Sequence, residues 1–202
     1  VADDGRIHTC FKQTETRTGR ISSTEPNMQN IPVRTELGRE MRKFFIADEG
    51  NVLLDADYSQ IELRVMAHLC GDENMISAFN NNLDIHTSTA AQVFDMPVEM
   101  VTSEMRSAAK AVNFGIIYGI GAFSLSKDIN VPIYKAKKYI EDYMNNFPKV
   151  KEFMESTYNN ALETGSVTTM FGRKRRIPEL SSSNKILQAA GKRIAMNTPV
   201  QG

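Results

Sequence analysis

The chain has 202 residues, enough for one sizeable core or a domain and a half, and its 24 Lys/Arg balance 24 Asp/Glu, a neutrality that on its face argues against a nucleic-acid partner. The total conceals an acidic middle between basic arms: residues 1–47 carry 8 basic and 6 acidic side chains, residues 48–104 carry 1 and 11, and residues 105–202 carry 15 and 7. Cys10 and Cys70 make neither a disulfide framework nor a CxxC metal site, no apolar run approaches the ~20 residues of a membrane span, and no signal peptide opens the chain, which reads as a soluble, cytoplasmic protein with no membrane partner.

Short alternating segments between Gly5 and Arg20, with Ile7, Thr9 and Phe11, predict a strand or hairpin. A polar loop follows over residues 22–32, dense in amide and hydroxyl groups. Residues 52–54 read as a buried strand that delivers Asp55 and Asp57 to a bend. Ser59-Gln-Ile-Glu62 then has the capping-box spacing that starts a helix, with Ile61, Val65 and Leu69 on one stripe. After Gly71 the chain reads as largely helical. Thr102 caps one helix, with Glu104 in a first turn that favours acids. Pro132 opens an amphipathic helix through Ile133, Ala136, Ile140, Tyr143 and Phe147, broken at Pro148. The next helix has Val150, Phe153, Met154, Tyr158 and Leu162 inward and stops at Gly165. Residues 167–177 form a basic hairpin containing Phe171-Gly-Arg-Lys-Arg-Arg176, and residues 186–196 are helical again. There is no internal repeat, and both ends read as cut: Val1 is not methionine, and Gly202 follows Pro199-Val-Gln without a tail. The order of elements implies an α+β protein with a helical insertion.

Several side chains carry chemistry, each with a plainer structural alternative. The charge asymmetry suits a metal-binding carboxylate region beside a polyanion-binding surface, or else ordinary solvated faces that cluster. Asp57 fits a carboxylate that holds a divalent cation over a phosphate, with Asp55 two residues earlier on the same side; either can instead cap a turn. The capping box already accounts for Glu62. His8, His68 and His86 have no zinc-type spacing, and a lone histidine is more often a buried hydrogen-bonding group than a ligand. At about 100° per residue, Arg106, Lys110, Asn113 and Phe114 fall on one stripe with Tyr118 at its edge. A stripe of two cations, an amide and aromatics suits a phosphate tail gripped at one end and a base stacked at the other, or a solvated face with two aromatics packed inward. Gly115 within it points to close backbone approach. Arg193, Asn197 and Gln201 recur every four residues, in a helix that Pro199 should make irregular. Arg20, Asn27, Gln29 and Asn30 can meet minor-groove acceptors, although loop residues of this kind are usually just solvated. The 173–176 basic cluster most simply touches backbone phosphate.

Together these segments resemble family A DNA polymerases of the bacterial DNA polymerase I type. Thr18-Gly-Arg-Ile-Ser-Ser23, Pro26-Asn-Met-Gln-Asn-Ile-Pro-Val-Arg34, Asp57-Tyr-Ser-Gln-Ile-Glu-Leu-Arg64, Asp84-Ile-His86, residues 106–119 and Thr198-Pro-Val-Gln-Gly202 follow the family's order and spacing. The resemblance implies a right-hand polymerase: part of an antiparallel-sheet palm over 1–72, a mainly helical fingers subdomain over 73–185 with its nucleotide-binding helix at 103–119, and over 186–202 the start of a helix returning to the palm. It implies that Asp57 carries two Mg2+ ions, for which Mn2+ can substitute, helped by the Tyr58 carbonyl. Glu62 becomes the gate against a ribose 2′-hydroxyl, and Gln60 and His86 sit near the incoming nucleotide. Arg106 and Lys110 hold its triphosphate, Phe114 packs on its sugar and base, and Tyr118 occupies the template-base position until the fingers close. Arg20, Asn27, Asn30, Arg193, Asn197 and Gln201 resemble the family's primer-template contacts.

The implied partners are primer-template DNA and deoxynucleoside triphosphates, and the implied mechanism is two-metal phosphoryl transfer by a monomer. Phe114 where the pattern also admits Tyr implies poor use of dideoxynucleotides. The family's second catalytic carboxylate belongs to a His-Asp-Glu sequence beyond residue 202, so these residues alone are expected to be inactive. A catalytically silent DNA-binding relative and a single-subunit RNA polymerase are the competing readings; Glu62 and the wording of residues 57–64 favour deoxynucleotides.

Overall fold

The computed structural model describes residues 1–32 and 35–202; Val33 and Arg34, which end the 26–34 segment, lie outside the described residues. The chain divides into two compact units, residues 1–59 with Gly202, and residues 60–201.

In the first unit β1 (Cys10–Lys12) pairs antiparallel with β2 (Ser22–Thr24), Cys10 opposite Thr24 and Lys12 opposite Ser22. The expected hairpin exists, but its second strand is drawn from the segment read as loop. Hydroxyl groups cause this. The Thr9 hydroxyl lies 2.6 Å from that of Ser23 and within 3.1 Å and 2.8 Å of the Thr24 and Pro26 carbonyls, while the Met28 amide donates to Ser23 at 3.0 Å. These bonds fold the polar segment back onto its own strand. Helix α1 (Glu36–Arg42) begins at Thr35, whose hydroxyl accepts from the Gly38 amide. The expected buried strand at residues 52–54 is absent: Val52, Leu53 and Leu54 are 88%, 65% and 90% exposed in irregular backbone. A strand exists only through its ladder, and no described segment of this unit pairs with these residues.

The second unit is helical, with one hairpin. In order come α2 (Ile61–Cys70), α3 (Glu73–Asn80), α4 (Ile85–Phe94), α5 (Ser103–Ile117), α6 (Ala122–Asp128), α7 (Ile133–Asn146), α8 (Pro148–Thr164), β3 (Ser166–Thr168), β4 (Lys174–Arg176) and α9 (Lys185–Gln201). Helix α2 does not start on the expected capping box. Its N-cap is Gln60, left-handed at φ 54° and without a side-chain cap, so the chain swings into the helix one residue late. The buried stripe shifts with it to Leu63, Met66 and Ala67, while Val65 and Leu69 pack at its edge and Ile61 is largely exposed.

Asp72, almost wholly buried, holds two helices at once. Its carboxylate accepts from the Met75 amide at 3.0 Å at the start of α3 and from the Lys149 amide at 3.1 Å at the start of α8. Orphan amides at a helix start must find an acceptor, and one buried carboxylate serves both. Leu63, Met66, Met75, Ile116, Ile117, Leu125 and Val150 make the core, each contributing roughly 1.5–3 kcal/mol by burial. Ala161, Val167, Ile177, Leu180 and Ala195 form a second cluster. It seats the expected basic hairpin β3–β4 on α8 and α9.

Helices α7 and α8 fall where the periodicity and prolines placed them, and Gly165 ends α8 at φ 65°. Ile133 and Leu162, expected inside, are 52% and 47% exposed because the contact stripes are narrower than the full apolar period. Helix α9 runs through Pro199 without a break. Pro199 and Val200 are buried, and this packing overrides the propensity cost. Among the described residues no helix is long and apolar enough to cross a membrane.

Candidate functional site

Helix α5 is built to present a polar face. The Thr102 hydroxyl accepts from the Met105 amide at 3.3 Å, as its position before the helix predicts. The other end closes with the Gly119 amide on the Ile116 carbonyl at 2.9 Å and the Ile120 amide on the Gly115 carbonyl at 2.8 Å. Gly119 sits at φ 74°, a backbone conformation that strains any residue with a Cβ, and a Cβ there would also displace the Met196 methyl 2.5 Å away. At Gly115 the close approach inferred from the sequence is to the Ile120 side chain, 3.1 Å from an added Cβ.

Three polar links join α5 to α4. Asp84 caps α4 by accepting from the His86 amide at 3.0 Å and the Thr87 hydroxyl at 2.9 Å, and it pairs with Nε of Arg106. Burial raises the Asp84 carboxyl, but the hydrogen bonds from Arg106, Thr87 and the His86 amide outweigh it and hold the group below the usual carboxylate range. Asn113 lies 2.9 Å from His86 Nδ1 and accepts from the Thr89 hydroxyl at 2.9 Å. His86 is 1% exposed, and burial pushes its imidazole down to about 4, with Arg106 and Lys110 acting in the same direction against Asp84. The ring is therefore neutral at pH 7, and its Nε2 is buried with no hydrogen-bond partner among the described residues.

The stripe read from periodicity is real along 106, 110, 114 and 118, but Asn113 turns fully inward. The Phe114 ring lies 5.8 Å from that of His86 and 6.1 Å from that of Tyr118, with Lys110 Nζ 5.9 Å from its centroid. Tyr118 donates its hydroxyl to the Glu62 carboxylate, so Glu62 serves a contact between helices and not the expected capping box. Gln60, at the entry to α2, has a buried side-chain oxygen without a hydrogen-bond partner among the described residues. One face thus gathers cations, a neutral imidazole, tilted aromatic rings and an acid. Such a face can hold an anionic head and a flat, sugar-bearing body.

Asp57 and Tyr58 belong to the first unit, where both are exposed, as is Asp55. Among the described residues no three His, Cys, Asp or Glu side chains gather as a metal site. A carboxylate and a carbonyl are nevertheless the hard oxygen donors that Mg2+ takes, and such ions usually draw the rest of their shell from substrate phosphates and water. The donor set fits part of a shell.

Of the remaining predicted residues, Asn27 accepts from the Gln29 amide at 2.9 Å, and Gln29 donates to the Ile21 carbonyl at 3.0 Å. That leaves Asn27, Gln29 and Asn30 exposed on a loop shaped by its own bonds. The Arg20 carbonyl accepts from Thr16. On α9, Arg193 is exposed, Gln201 is half-buried, and the half-buried Asn197 has a side-chain oxygen without a hydrogen-bond partner among the described residues. The basic hairpin divides: Arg175 turns in to donate to the Thr198 hydroxyl at 3.2 Å, while Arg173, Lys174 and Arg176 stay exposed. His68 is exposed and His8 pairs with Asp4. Sequence reasoning gave Asp84 and Thr89 no side-chain role and put Asn113 on the ligand-facing stripe instead of against His86. An Asp directly before a helix was a readable signal for Asp84; Thr89 left none, because its partner is distant in the chain.

A family model described as DNA polymerase family A matches residues 1–202. The chain is 52% identical over 198 residues to a DNA polymerase I of Caldicellulosiruptor bescii and 51% identical over 198 residues to a thermostable DNA polymerase I of Thermus aquaticus, in each case over 98% of this chain. It covers 23% and 24% of those two proteins, so it spans about a quarter of the length of the curated relatives it matches. Among solved structures it resembles the POL domain of Pol1 from M. smegmatis in complex with DNA primer-template and dNTP, with TM-score 0.88 and 44% identity over 100% of this chain and 36% of that one.

Proposed function

Because the chain belongs to DNA polymerase family A, we propose that it contributes the nucleotide-binding face and one metal-holding carboxylate of a template-directed DNA polymerase. Residues 1–72 belong to the palm, 73–185 to the fingers and 186–202 to the helix returning to the palm. The observation that carries this reading is the single face of α5 on which Arg106, anchored by Asp84, precedes Lys110, Phe114 and Tyr118.

The ion pair uses Nε of Arg106, which leaves the terminal amino groups of the guanidinium for a phosphate. Arg106 and Lys110 bind the triphosphate and neutralise the charge that develops on the departing pyrophosphate. Phe114 packs on the sugar and base. Glu62, held by Tyr118, stands as the gate against a 2′-hydroxyl, and Gln60 and His86 contact the incoming nucleotide. Asp57, with the Tyr58 carbonyl, holds two Mg2+ ions, or Mn2+ in their place. Such ions, when bound, lower the pKa of the primer 3′-hydroxyl and offset the negative charge of the transferring phosphoryl group. Arg20, Asn27, Gln29 and Asn30 in one unit, and Arg193, Asn197 and Gln201 in the other, contact primer-template DNA through groove acceptors and backbone. Closure of α5 over a correctly shaped base pair completes the site, which makes selection a matter of induced fit.

Primer extension by the full-length gene product tests the reading. The wild-type protein should extend a primer with deoxynucleotides, whereas Asp57→Ala should abolish extension and leave DNA binding within about 3-fold. Normal extension by Asp57→Ala removes the metal assignment.

A further inference from the structure

Thr89, Asn113 and His86 form a buried polar chain between α4 and α5, of which the contacts proposed above use only His86. The Thr89 hydroxyl donates to Asn113 Oδ1 at 2.9 Å, and Asn113 Nδ2 lies 2.9 Å from His86 Nδ1. Asn113 is 0% and His86 1% exposed, so water does not compete for these bonds. A hydroxyl donating to Oδ1 sets the amide so that it turns its N–H toward the imidazole. A ring nitrogen that accepts a hydrogen bond carries no proton, and the proton of a neutral ring then sits on Nε2. That atom is buried and unpartnered, and the neighbouring charges are the cations Arg106 and Lys110 and the acid Asp84. A buried donor without an acceptor is costly. An anionic oxygen arriving with a ligand would satisfy it. The opposite amide orientation would place the proton on Nδ1 and turn a lone pair toward the same ligand, which a phosphate would repel.

We propose that Asn113 and Thr89 are positioning residues that set the tautomer of His86, holding Nε2–H as a donor to a phosphate oxygen of the incoming nucleotide. The proposal rests on the nucleotide-binding reading of α5. It adds two residues that act through His86 and touch no ligand.

The test is 15N NMR of the histidine-labelled full-length gene product, with the His86 signals assigned by their loss in His86→Gln. The wild-type ring should be unprotonated at Nδ1 and protonated at Nε2. Thr89→Val, which keeps the shape and removes the hydroxyl, should give mixed tautomers, and Thr89→Ser should restore the wild-type pattern. A wild-type ring protonated at Nδ1, or an unchanged pattern in Thr89→Val, overturns the assignment whether or not the protein incorporates nucleotides. In primer extension, Thr89→Val should raise the nucleotide KM about 10-fold, change kcat less, and add nothing in a His86→Gln background. Equal losses in both backgrounds mean that Thr89 acts through the fold, which overturns the positioning role. If the tautomer pattern holds but the wild-type protein incorporates no nucleotide, it is the polymerase reading that fails.

Discussion

The Tyr118 hydroxyl donates to the Glu62 carboxylate, tying the C-terminal end of α5 to the first turn of α2. The bond joins the residue proposed to occupy the template position to the residue proposed as the sugar gate. A double-mutant cycle of Tyr118→Phe and Glu62→Gln, read by urea unfolding, should give a coupling of about 1 kcal/mol. Strictly additive losses would mean that the two side chains do not meet in solution. In kinetics, Glu62→Ala should relax the ratio of kcat/KM for deoxy- over ribonucleotides by at least about 10-fold, and Tyr118→Phe by less, because the carboxylate remains in place.

Asp72 offers a stability test away from the nucleotide face. It accepts from two helix-start amides and is 1% exposed, so Asp72→Ala should cost about 2–3 kcal/mol and lower the urea midpoint. Asp72→Asn, which keeps an accepting oxygen, should lose about half as much. Indistinguishable losses would point to the charge rather than to hydrogen bonding as the cause.

His86 makes stability depend on pH. Its folded pKa of about 4 lies below the unfolded value near 6.5, so between these values the unfolded chain binds more protons. Its full contribution is present above about pH 6.5 and is lost as pH falls toward about 4, a change on the order of 3 kcal/mol. Unfolding measured from pH 7 to pH 4 should show a steeper decline in the wild-type protein than in His86→Gln. Parallel curves would mean that the imidazole takes up its proton as readily in the folded state as in the unfolded one.

Phe114 places an apolar ring between those of His86 and Tyr118, and so brings no hydroxyl to replace the hydrogen bond that a missing 3′-hydroxyl removes. The full-length gene product should therefore use dideoxynucleotides at least about 10-fold less efficiently than deoxynucleotides. Competition assays giving similar kcat/KM for both would contradict this.

Much of the face proposed to bind the nucleotide was legible in the chain. The four-residue spacing of Arg106, Lys110, Phe114 and Tyr118, the cap at Thr102 and the close approach at Gly115 are consequences of helix geometry, which a local sequence determines. The strand expected at residues 52–54 failed for the opposite reason: a strand is a relation between segments, and no described segment of its unit supplies the partner. The capping box at Ser59 failed because Gln60 takes a left-handed turn that the spacing of side chains does not reveal.

By itself, then, the amino-acid order determined α7 and α8 with their prolines and the Gly165 stop, the Thr102 cap of α5, the basic hairpin and the stripe of cations and rings, because each depends on neighbours within a turn or two. Only the tertiary structure decided that Asp84 anchors Arg106, that Asn113 turns inward to His86, that Asp72 closes two helix starts and that Tyr118 meets Glu62. Apart from the local Asp72–Met75 cap, those partners are between 22 and 77 residues apart, and packing of the helices, not local propensity, brings their polar atoms within hydrogen-bond distance.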